Sequence, residues 1–228
     1  MAVEYANGKI VTDGLVLLLD AADKNSYPGS GTTWRDMSGG GRNFTLENSP
    51  TFSTSKGGAI VFDGNDDFLT GPASNTFSIV QDHTVEVVFN IAELRSTVFF
   101  TWSNGGPSGR QIFTHAPWGN DTIYYDVALN SRVQYSPVPV GRIVHMVWRL
   151  RSSTTPRQQI FENNVSKADN GTNTVGNISM GTDPVYIAKI GDFSYWKGTI
   201  YYFRVYNRAL TDAELSQNYT LARAKYGI

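Results

Sequence analysis

The chain has no cysteine among its 228 residues, which excludes a disulfide framework and a thiolate metal site. Charged residues are scarce, at 17%, and the net charge is −1. The chain therefore lacks the surplus of lysine and arginine that neutralises phosphates, and nucleic acid is not an expected partner. No stretch reaches the roughly 18 consecutive apolar residues of a membrane span, and the sequence predicts no membrane partner.

Motifs for several kinds of chemistry are also missing. The three histidines, His83, His115 and His145, do not form an H-x-x-x-H pair, and there is no G-x-S-x-G nucleophile motif. No P-loop or dinucleotide fingerprint occurs, and the glycine run at 39–41 is not followed by Lys-Ser/Thr. The first residues carry no apolar signal core, so we expect a protein made in a cytoplasm without a signal peptide.

Alternating hydrophobicity dominates what is present. In the segment 83–91, HTVEVVFNI, every second residue from Val85 to Ile91 is apolar, while Glu86 and Asn90 fall on the other face. The segment 142–151, RIVHMVWRLR, repeats the pattern, with Val144, Met146, Trp148 and Leu150 on one face. Period two with one apolar face predicts strands of a two-sheet sandwich. Further strands are predicted at 15–19, 60–62, 97–102, 111–115, 122–129, 158–162, 185–190 and 199–206.

Two stretches, 27–41 and 163–184, are rich in Gly, Asn, Ser or Thr and are predicted to be loops. Neither leaves a flank able to form its own core, so residues 13–228 are predicted to be one domain. Residues 1–12 are short and polar, which predicts a disordered terminus or an arm that adds a strand to a neighbouring subunit.

One helix is predicted, at the end of the chain. Thr211 and Glu214 have the spacing of a capping box, and Gly227 stands where the helix would stop. Leu215, Tyr219 and Ala222 share a face that should pack on the sandwich. The predicted fold is therefore an all-β, two-sheet antiparallel jelly-roll sandwich with one C-terminal helix.

Two segments carry a resemblance to a known family: AIVFDGNDDF at 59–68 and KGTIYYFRVYNRALTDAEL at 197–215. They resemble the signature stretches of laminin-G-like jelly rolls in the concanavalin A-like lectin/glucanase superfamily. With 14–46, TVEVVFNI and IVHMVWRL, the full set is similar to modules of tailed-phage virion proteins. The resemblance implies a protein on a virion surface, with other virion proteins as partners and a homo-oligomer as a further possibility.

The turn Asp63-Gly64-Asn65-Asp66-Asp67 is the densest cluster of oxygen donors in the sequence. Two interpretations are open: a Ca²⁺ site, since Ca²⁺ takes six to eight oxygen ligands, or a tight turn in which Asp63 and Asn65 bond the backbone. In the family, acidic residues near a rim calcium site commonly follow the isoleucine of the late strand. This chain has Tyr201 and Tyr202 there, a departure that argues against calcium.

Sugar binding by a sandwich requires an aromatic platform beside fixed polar groups. The sequence places such pairs in predicted loops, where Trp118 with Asn120 and Asp121 is the leading candidate. The alternative is that these rings cap the ends of the core. The remaining candidates are Trp102 with Asn104, and Trp196.

The resemblance and these candidates predict a non-enzymatic virion surface protein, as capsid decoration or a tail component, whose lectin-like domain binds host or environmental glycans. The first alternative is a purely structural capsid-stabilising protein without glycan binding. The second is a glycan hydrolase, which would need two positioned carboxyl groups. No E-x-D-x-E arrangement of the family's glucanases occurs among the six glutamates.

Overall fold

The computed structural model describes residues 4–5, 8–103, 110–128, 131–171, 175–190 and 194–228. β-Strands are the main secondary structure of these residues, which also contain one α-helix, α1 (Asp212–Tyr226), and two short 3₁₀ turns at Ser55–Gly57 and Ser74–Phe77. No helix in the described ranges is long and apolar enough to cross a membrane.

The first ten strands are β1 (Glu4–Tyr5), β2 (Gly8–Lys9), β3 (Leu15–Asp20), β4 (Thr33–Trp34), β5 (Phe44–Glu47), β6 (Thr51–Ser53), β7 (Ala59–Asp63), β8 (Phe68–Ala73), β9 (His83–Ile91) and β10 (Val98–Ser103). The others are β11 (Arg110–Trp118), β12 (Thr122–Val127), β13 (Ser131–Tyr135), β14 (Ile143–Leu150), β15 (Gln158–Glu162), β16 (Val165–Asp169), β17 (Pro184–Ile187), β18 (Lys189–Ile190), β19 (Ser194–Tyr195) and β20 (Lys197–Tyr206).

Two antiparallel sheets of eight strands form the sandwich, as the alternation predicts. The first sheet has the order β13-β12-β11-β10-β17-β8-β5-β4. The second has the order β16-β15-β14-β9-β20-β7-β6, with β3 paired to β20 beyond the end of β7. Strands distant in sequence are neighbours in both sheets, which is the connectivity of a jelly roll.

The core lies between the sheets and is built from the faces that the alternation predicts. Val85, Val87, Phe89 and Ile91 of β9 and the apolar set of β14 all belong to it. Its centre is aromatic: the Phe89 ring stacks 6.3 Å from Trp148, and Phe99 lies 5.0 Å from Trp196. Such ring pairs stabilise by about 0.5–1.5 kcal/mol beyond the area they bury.

The helix begins and ends where the capping residues predict. The Thr211 hydroxyl accepts from the Glu214 amide at 3.3 Å, and the Thr211 amide donates to the Glu214 carboxylate at 2.8 Å. Gly227 has a φ of 74°, the left-handed conformation of a helix C-cap. Leu215 and Ala222 are buried as predicted, whereas Tyr219 is partly exposed and stacks on His145.

Beneath the helix, the polar face of the second sheet is buried around Glu86. Its Oε1 accepts from His145 Nε2 at 2.9 Å, from the Tyr202 hydroxyl at 2.7 Å and from Arg204 at 3.1 Å. Its Oε2 accepts from Asn218 of α1 at 2.8 Å. Burial raises the pKa of Glu86, but the Arg204 charge and the hydrogen bonds from His145 and Tyr202 outweigh it and lower the pKa to about 2.

Three expectations from the sequence are wrong in detail. The predicted loops at 27–41 and 163–184 contain the short strands β4 and β16, since edge strands need little apolar content. The predicted strand at 185–190 is interrupted at Ala188, which has a φ of 70°. The predicted strand at 122–129 ends at Val127.

The disordered terminus predicted for residues 1–12 is also wrong where the structure describes it. Ile10 and Val11 are buried, Ile10 against Leu18 and Leu221. The Val11 amide donates to Asn218 of α1 at 3.0 Å. The last part of the predicted arm therefore packs on the domain, because two adjacent apolar residues meet the uncovered flank of the helix.

Removing the buried carboxylate is expected to destabilise the fold strongly. Glu86→Ala leaves Arg204 buried without its charged partner, which typically costs about 3–5 kcal/mol. The free energy of unfolding from urea denaturation measures the loss. The matched control is Glu93→Ala, whose solvent-screened pairs with Arg95 and Lys197 should contribute far less. Equal losses in the two variants would contradict the role assigned to Glu86.

A buried histidine predicts acid sensitivity of the fold. His83 is fully buried and accepts from the Tyr125 hydroxyl at 2.6 Å, and burial lowers its pKa from 6.5 to about 4. Below pH 6.5 the histidine is therefore protonated in the unfolded chain but stays neutral in the native state. The free energy of unfolding consequently decreases as pH falls from 6.5 towards 4. Between about pH 7 and pH 4.5 this loss amounts to about 2 kcal/mol.

The measurement is urea denaturation at pH values across that window. Glu86 is present in both proteins compared, so any loss from its titration at the lower end of the window is common to both. His83→Gln keeps an acceptor for Tyr125 and removes the titrating group. We expect the variant to lose about 2 kcal/mol less than the unmodified protein over the same interval. Parallel curves for the two proteins would refute the assignment.

Candidate functional site

Trp118 stands at the end of β11, where a β-bulge directs its ring outwards. His115 pairs with Tyr124 and Trp118 with Thr122, so β11 has one residue more than β12 over this interval. Ala116 points into the core, and strict alternation would place Trp118 there as well. Because of the extra residue, Trp118 instead lies on the outer face and is 39% exposed.

An open cleft of about 540 Å³ surrounds this ring. The His115 ring lies 4.2 Å from Trp118 at a steep angle, and Tyr124 lies 6.0 Å from His115 on the neighbouring strand. Core residues Ile123 and Tyr125 flank Tyr124, so alternation places Tyr124 on the outer face. The cleft is lined by Ser96, His115, Trp118, Gly119, Asn120, Tyr124 and Arg132.

Hydrogen bonds hold the turn after Trp118 against the cleft. The Gly119 amide donates to the Ser96 hydroxyl at 3.0 Å, and the Asn120 side-chain amide donates to the Tyr124 hydroxyl at 2.6 Å. A side chain at Gly119 would collide with Ser96, since a Cβ would lie 2.5 Å from its hydroxyl. The turn therefore presents an aromatic ring beside fixed amide and hydroxyl groups.

The charge at the cleft is paired. Arg132 of β13 donates to both carboxylate oxygens of Asp126, at 2.6 and 2.7 Å, and its guanidinium lies 4.5 Å from the Tyr124 ring centroid. The hydrogen bond to Asp126 raises the pKa of Arg132. This bidentate pair neutralises the positive charge and fixes the guanidinium in place.

Among the predicted sugar-binding residues, the structure brings Trp118 and Asn120 together at the cleft. Asp121 is adjacent in sequence, but it does not line the cleft: its Oδ1 accepts from the Val138 amide at 2.9 Å. Asn104 lies outside the described residues.

Trp102 and Trp196 cannot act as sugar platforms, and the prediction that they belong to the site is wrong. Both have no exposed surface. Trp102 packs on Phe77 and Phe100 in the core, and Trp196 donates to the Ala116 carbonyl at 2.7 Å. For these two rings the alternative interpretation is the correct one: they are core residues, since the side chains of the two inner faces of a sandwich interdigitate to fill the core.

Sequence reasoning missed His115, Tyr124 and Arg132 as cleft residues. Each belongs to a strand, and the only sequence signal is that it alternates with the apolar residues that face the core. That signal marks an outer face without saying which outer-face residues of different strands meet. The pairing of β11, β12 and β13 supplies this information.

The acidic turn after β7 is tightly hydrogen-bonded. Asp63 accepts from the Asn65 amide at 2.7 Å and from its side chain at 2.8 Å, and Asp67 accepts from the Asp63 amide at 3.0 Å. Arg95 donates to the Gly64 carbonyl, which places a positive charge beside the turn. Gly64 has a φ of 78°, as the turn requires.

Carboxylate oxygens of Asp63, Asp66 and Asp67 also lie within 4.8 Å of one another, a spacing that would allow a shared cation. Backbone donation from Asn65 lowers the pKa of Asp63. Burial, together with the neighbouring Asp63 and Asp66 charges, raises the pKa of Asp67. The hydrogen bonds to both oxygens of Asp63 and to one of Asp67 close the turn without a cation, and the Arg95 charge beside it opposes cation binding.

The family is shown by a match to residues 63–216, more than half of the chain. The matching model describes the concanavalin A-like lectin/glucanases superfamily, and the chain belongs to this superfamily. The match begins at the acidic turn and ends inside the capped helix. No curated protein matches the sequence.

Several solved structures share the fold at low sequence identity. A sialidase of Trypanosoma rangeli in complex with sialic acid has a TM-score of 0.69 and 15% identity, over 98% of this chain and 36% of that one. The botulinum neurotoxin serotype D binding domain has a TM-score of 0.69 and 11% identity, over 92% of this chain and 52% of that one. The chain thus spans about a third to a half of the solved chains it matches, and at this identity the likeness shows the fold alone.

The hydrogen bonds of the acidic turn predict that Ca²⁺ does not stabilise the protein. A Ca²⁺ concentration one hundred times a site's Kd would add about 2.7 kcal/mol to the free energy of unfolding. We expect the same melting temperature in excess Ca²⁺ and in excess chelator, with Mg²⁺ as the control cation. A Ca²⁺-specific rise that Asp66→Asn abolishes would contradict this, because the Asp66 side chain is not needed for the turn hydrogen bonds described above.

Proposed function

We propose that this protein is a non-enzymatic, lectin-like module that binds glycans through the Trp118 cleft and is displayed on the surface of a tailed-phage virion. The single observation that carries the glycan-binding part is the outward-directed Trp118 ring, held beside Asn120 and Tyr124. An indole face packs on the apolar face of a sugar ring, while amide and hydroxyl groups fix its hydroxyls. The sialic acid complex of the sialidase and the binding domain of the neurotoxin support the use of this fold in recognition.

The positions of the carboxylates favour binding over hydrolysis. None of the described cleft-lining residues is Asp or Glu. Glu86 is buried under α1, and Glu162 accepts from Tyr135 and Arg142. Glu214 closes the capping box of the helix. Glycoside hydrolysis generally needs two carboxyl groups flanking one bond, and among the described residues no such pair faces the cleft.

The virion setting rests on the sequence resemblance. The segments at 59–68 and 197–215, together with TVEVVFNI and IVHMVWRL, resemble in content and order the modules of tailed-phage virion proteins. A particle displays many copies at once, and simultaneous engagement multiplies weak affinities. An open, shallow cleft with one exposed indole is suited to such multivalent use.

A purely structural capsid-stabilising role is the alternative, and the exposure of Trp118 is compatible with it. In that case the ring would pack against another virion protein, since exposed aromatic residues are also typical of protein interfaces. The two roles differ in a measurable way, because only a lectin-like module binds glycans as an isolated domain.

Trp118→Ala is expected to abolish glycan binding without unfolding the protein. The isolated domain, displayed as a tetramer for avidity, would be applied to a glycan array. The ring is 39% exposed and packs on His115, so we expect the free energy of unfolding to fall by about 1–3 kcal/mol while the variant still unfolds cooperatively. Trp118→Phe should retain part of the signal because it keeps an aromatic face.

Val80→Ala serves as the matched control, since Val80 is 81% exposed and is not a cleft residue. It should leave the array pattern unchanged. If the unmodified domain binds no glycan but binds capsids, the structural role replaces the proposed one. If reducing ends are released from a bound glycan, the protein is a hydrolase.

A further inference from the structure

A second group of aromatic side chains lies where β8 and β17 of the first sheet meet the separate short hairpin of β18 and β19. The Phe68 ring is 6.3 Å from Tyr186 and 6.2 Å from Tyr195. The Lys189 ammonium lies 4.1 Å from the centroid of Phe68 and 5.6 and 6.0 Å from those of the two tyrosines. All four residues are partly exposed. We call Phe68, Tyr186, Tyr195 and Lys189 the lysine-centred aromatic group.

This group and the Trp118 cleft share one face. In β8 and β17, the residues next to Phe68 and Tyr186 are Leu69 and Ile187, which point into the core. Alternation therefore directs Phe68 and Tyr186 to the outer face of the first sheet. His115 and Tyr124 are placed on the same outer face by the same argument.

The two groups are also linked by hydrogen bonds through Ser96. Ser194, next to Tyr195 in the short hairpin of β18 and β19, donates to the Ser96 carbonyl at 2.6 Å. The Ser96 hydroxyl in turn accepts from the Gly119 amide at 3.0 Å. One residue, Ser96, therefore connects the hairpin of Tyr195 with the turn of Trp118, and both structures border the same end of β10.

The strand order sets the distance between the two groups. From β8 to β12 there are four steps, through β17, β10 and β11. At about 4.8 Å per step, these outermost strands, with Phe68 and Tyr124, stand roughly 19 Å apart, and the nearer strands β17 and β11, with Tyr186 and His115, stand roughly 10 Å apart. A single monosaccharide is too small to contact both groups, whereas a linear oligosaccharide lying across the strands would reach from one to the other.

Charge on this face favours a neutral ligand. Arg132 is neutralised by the bidentate hydrogen bonds to Asp126. The Lys189 ammonium is held over aromatic rings by cation–π attraction. Glu47 stands opposite Phe68 on β5 and places a negative charge next to that ring. An acidic sugar would therefore find no excess of positive charge among these residues.

We propose that the lysine-centred aromatic group is a second subsite, and that it and the Trp118 cleft bind one linear, neutral oligosaccharide across the outer face of the first sheet. The proposal rests on the proposed glycan-binding function and adds a site, a ligand length and a ligand charge. Lys189 acts as a positioning residue that holds Phe68, Tyr186 and Tyr195 together. The three rings supply the ligand contact.

The test uses ladders of β-1,4-linked glucose, α-1,4-linked glucose and β-1,4-linked N-acetylglucosamine, from two to seven units, with a galacturonic acid ladder as the acidic comparison. Affinity is measured by titration calorimetry on the whole chain. For the unmodified protein, we expect affinity for at least one neutral ladder to rise with length until the chain spans both groups. The acidic ladder should bind more weakly than that neutral ladder.

Tyr195→Ala should weaken binding of the longest neutral oligosaccharide about tenfold, as expected for the loss of one aromatic contact, and leave the disaccharide unchanged. Tyr195→Phe keeps the ring and should bind like the unmodified protein. Trp118→Ala should weaken every length. Tyr186→Ala is the second variant, used if Tyr195→Ala does not give a cooperative thermal transition.

Several outcomes would overturn the proposal. Affinity that does not change with length, or a Tyr195→Ala variant that binds long chains normally, would remove the second subsite while leaving the cleft in place. Stronger binding of the acidic ladder would refute the neutral ligand. Failure of every ladder and of the glycan array would overturn this proposal and the glycan-binding function together. If instead the unmodified protein binds a disaccharide and Trp118→Ala weakens that binding, only the second subsite is lost.

Discussion

The buried carboxylate of Glu86 is the interaction on which the arrangement of the molecule depends. It joins β9, β14 and β20 to the helix through His145, Arg204 and Asn218. A charge without partners in this position would be strongly unfavourable, and Asn218 of the helix supplies the partner of the second carboxylate oxygen. The helix lies on the outer face of the second sheet, and the Trp118 cleft lies on the outer face of the first sheet.

Within that first sheet, one irregularity creates the candidate site. The bulge in β11 directs the Trp118 side chain to the outer face, where strict alternation would direct it into the core. The hydrogen bond of Gly119 with Ser96 holds the turn that follows. The regular strands supply His115 and Tyr124 as neighbours. Bulges commonly redirect a side chain near a functional site, and here the redirected residue is the most exposed of the three rings lining the cleft.

The sequence was a good guide wherever neighbours along the chain decide the outcome. The alternation at Val85, Val87 and Phe89 predicts the core face of β9, and Thr211 with Glu214 predicts the first turn of the helix, both confirmed. It was a poor guide to the tryptophans. Trp102 and Trp118 both stand near predicted turns, yet one closes the core and the other lines the cleft, because a single extra residue in a strand reverses the direction of a side chain.

By itself, the sequence determined the two-sheet sandwich and the capped helix, which follow from residue type and spacing of two to four positions, and the absence of disulfides and thiolate ligands, which follows from the absence of cysteine. Only the tertiary structure decided which outer-face residues meet. Tyr124 and Arg132 join Trp118, and Phe68 joins Tyr186 and Tyr195, through strand pairings between distant segments. The physical reason is that alternation fixes the face of each strand, whereas the order of strands in a jelly roll depends on the packing of the whole core.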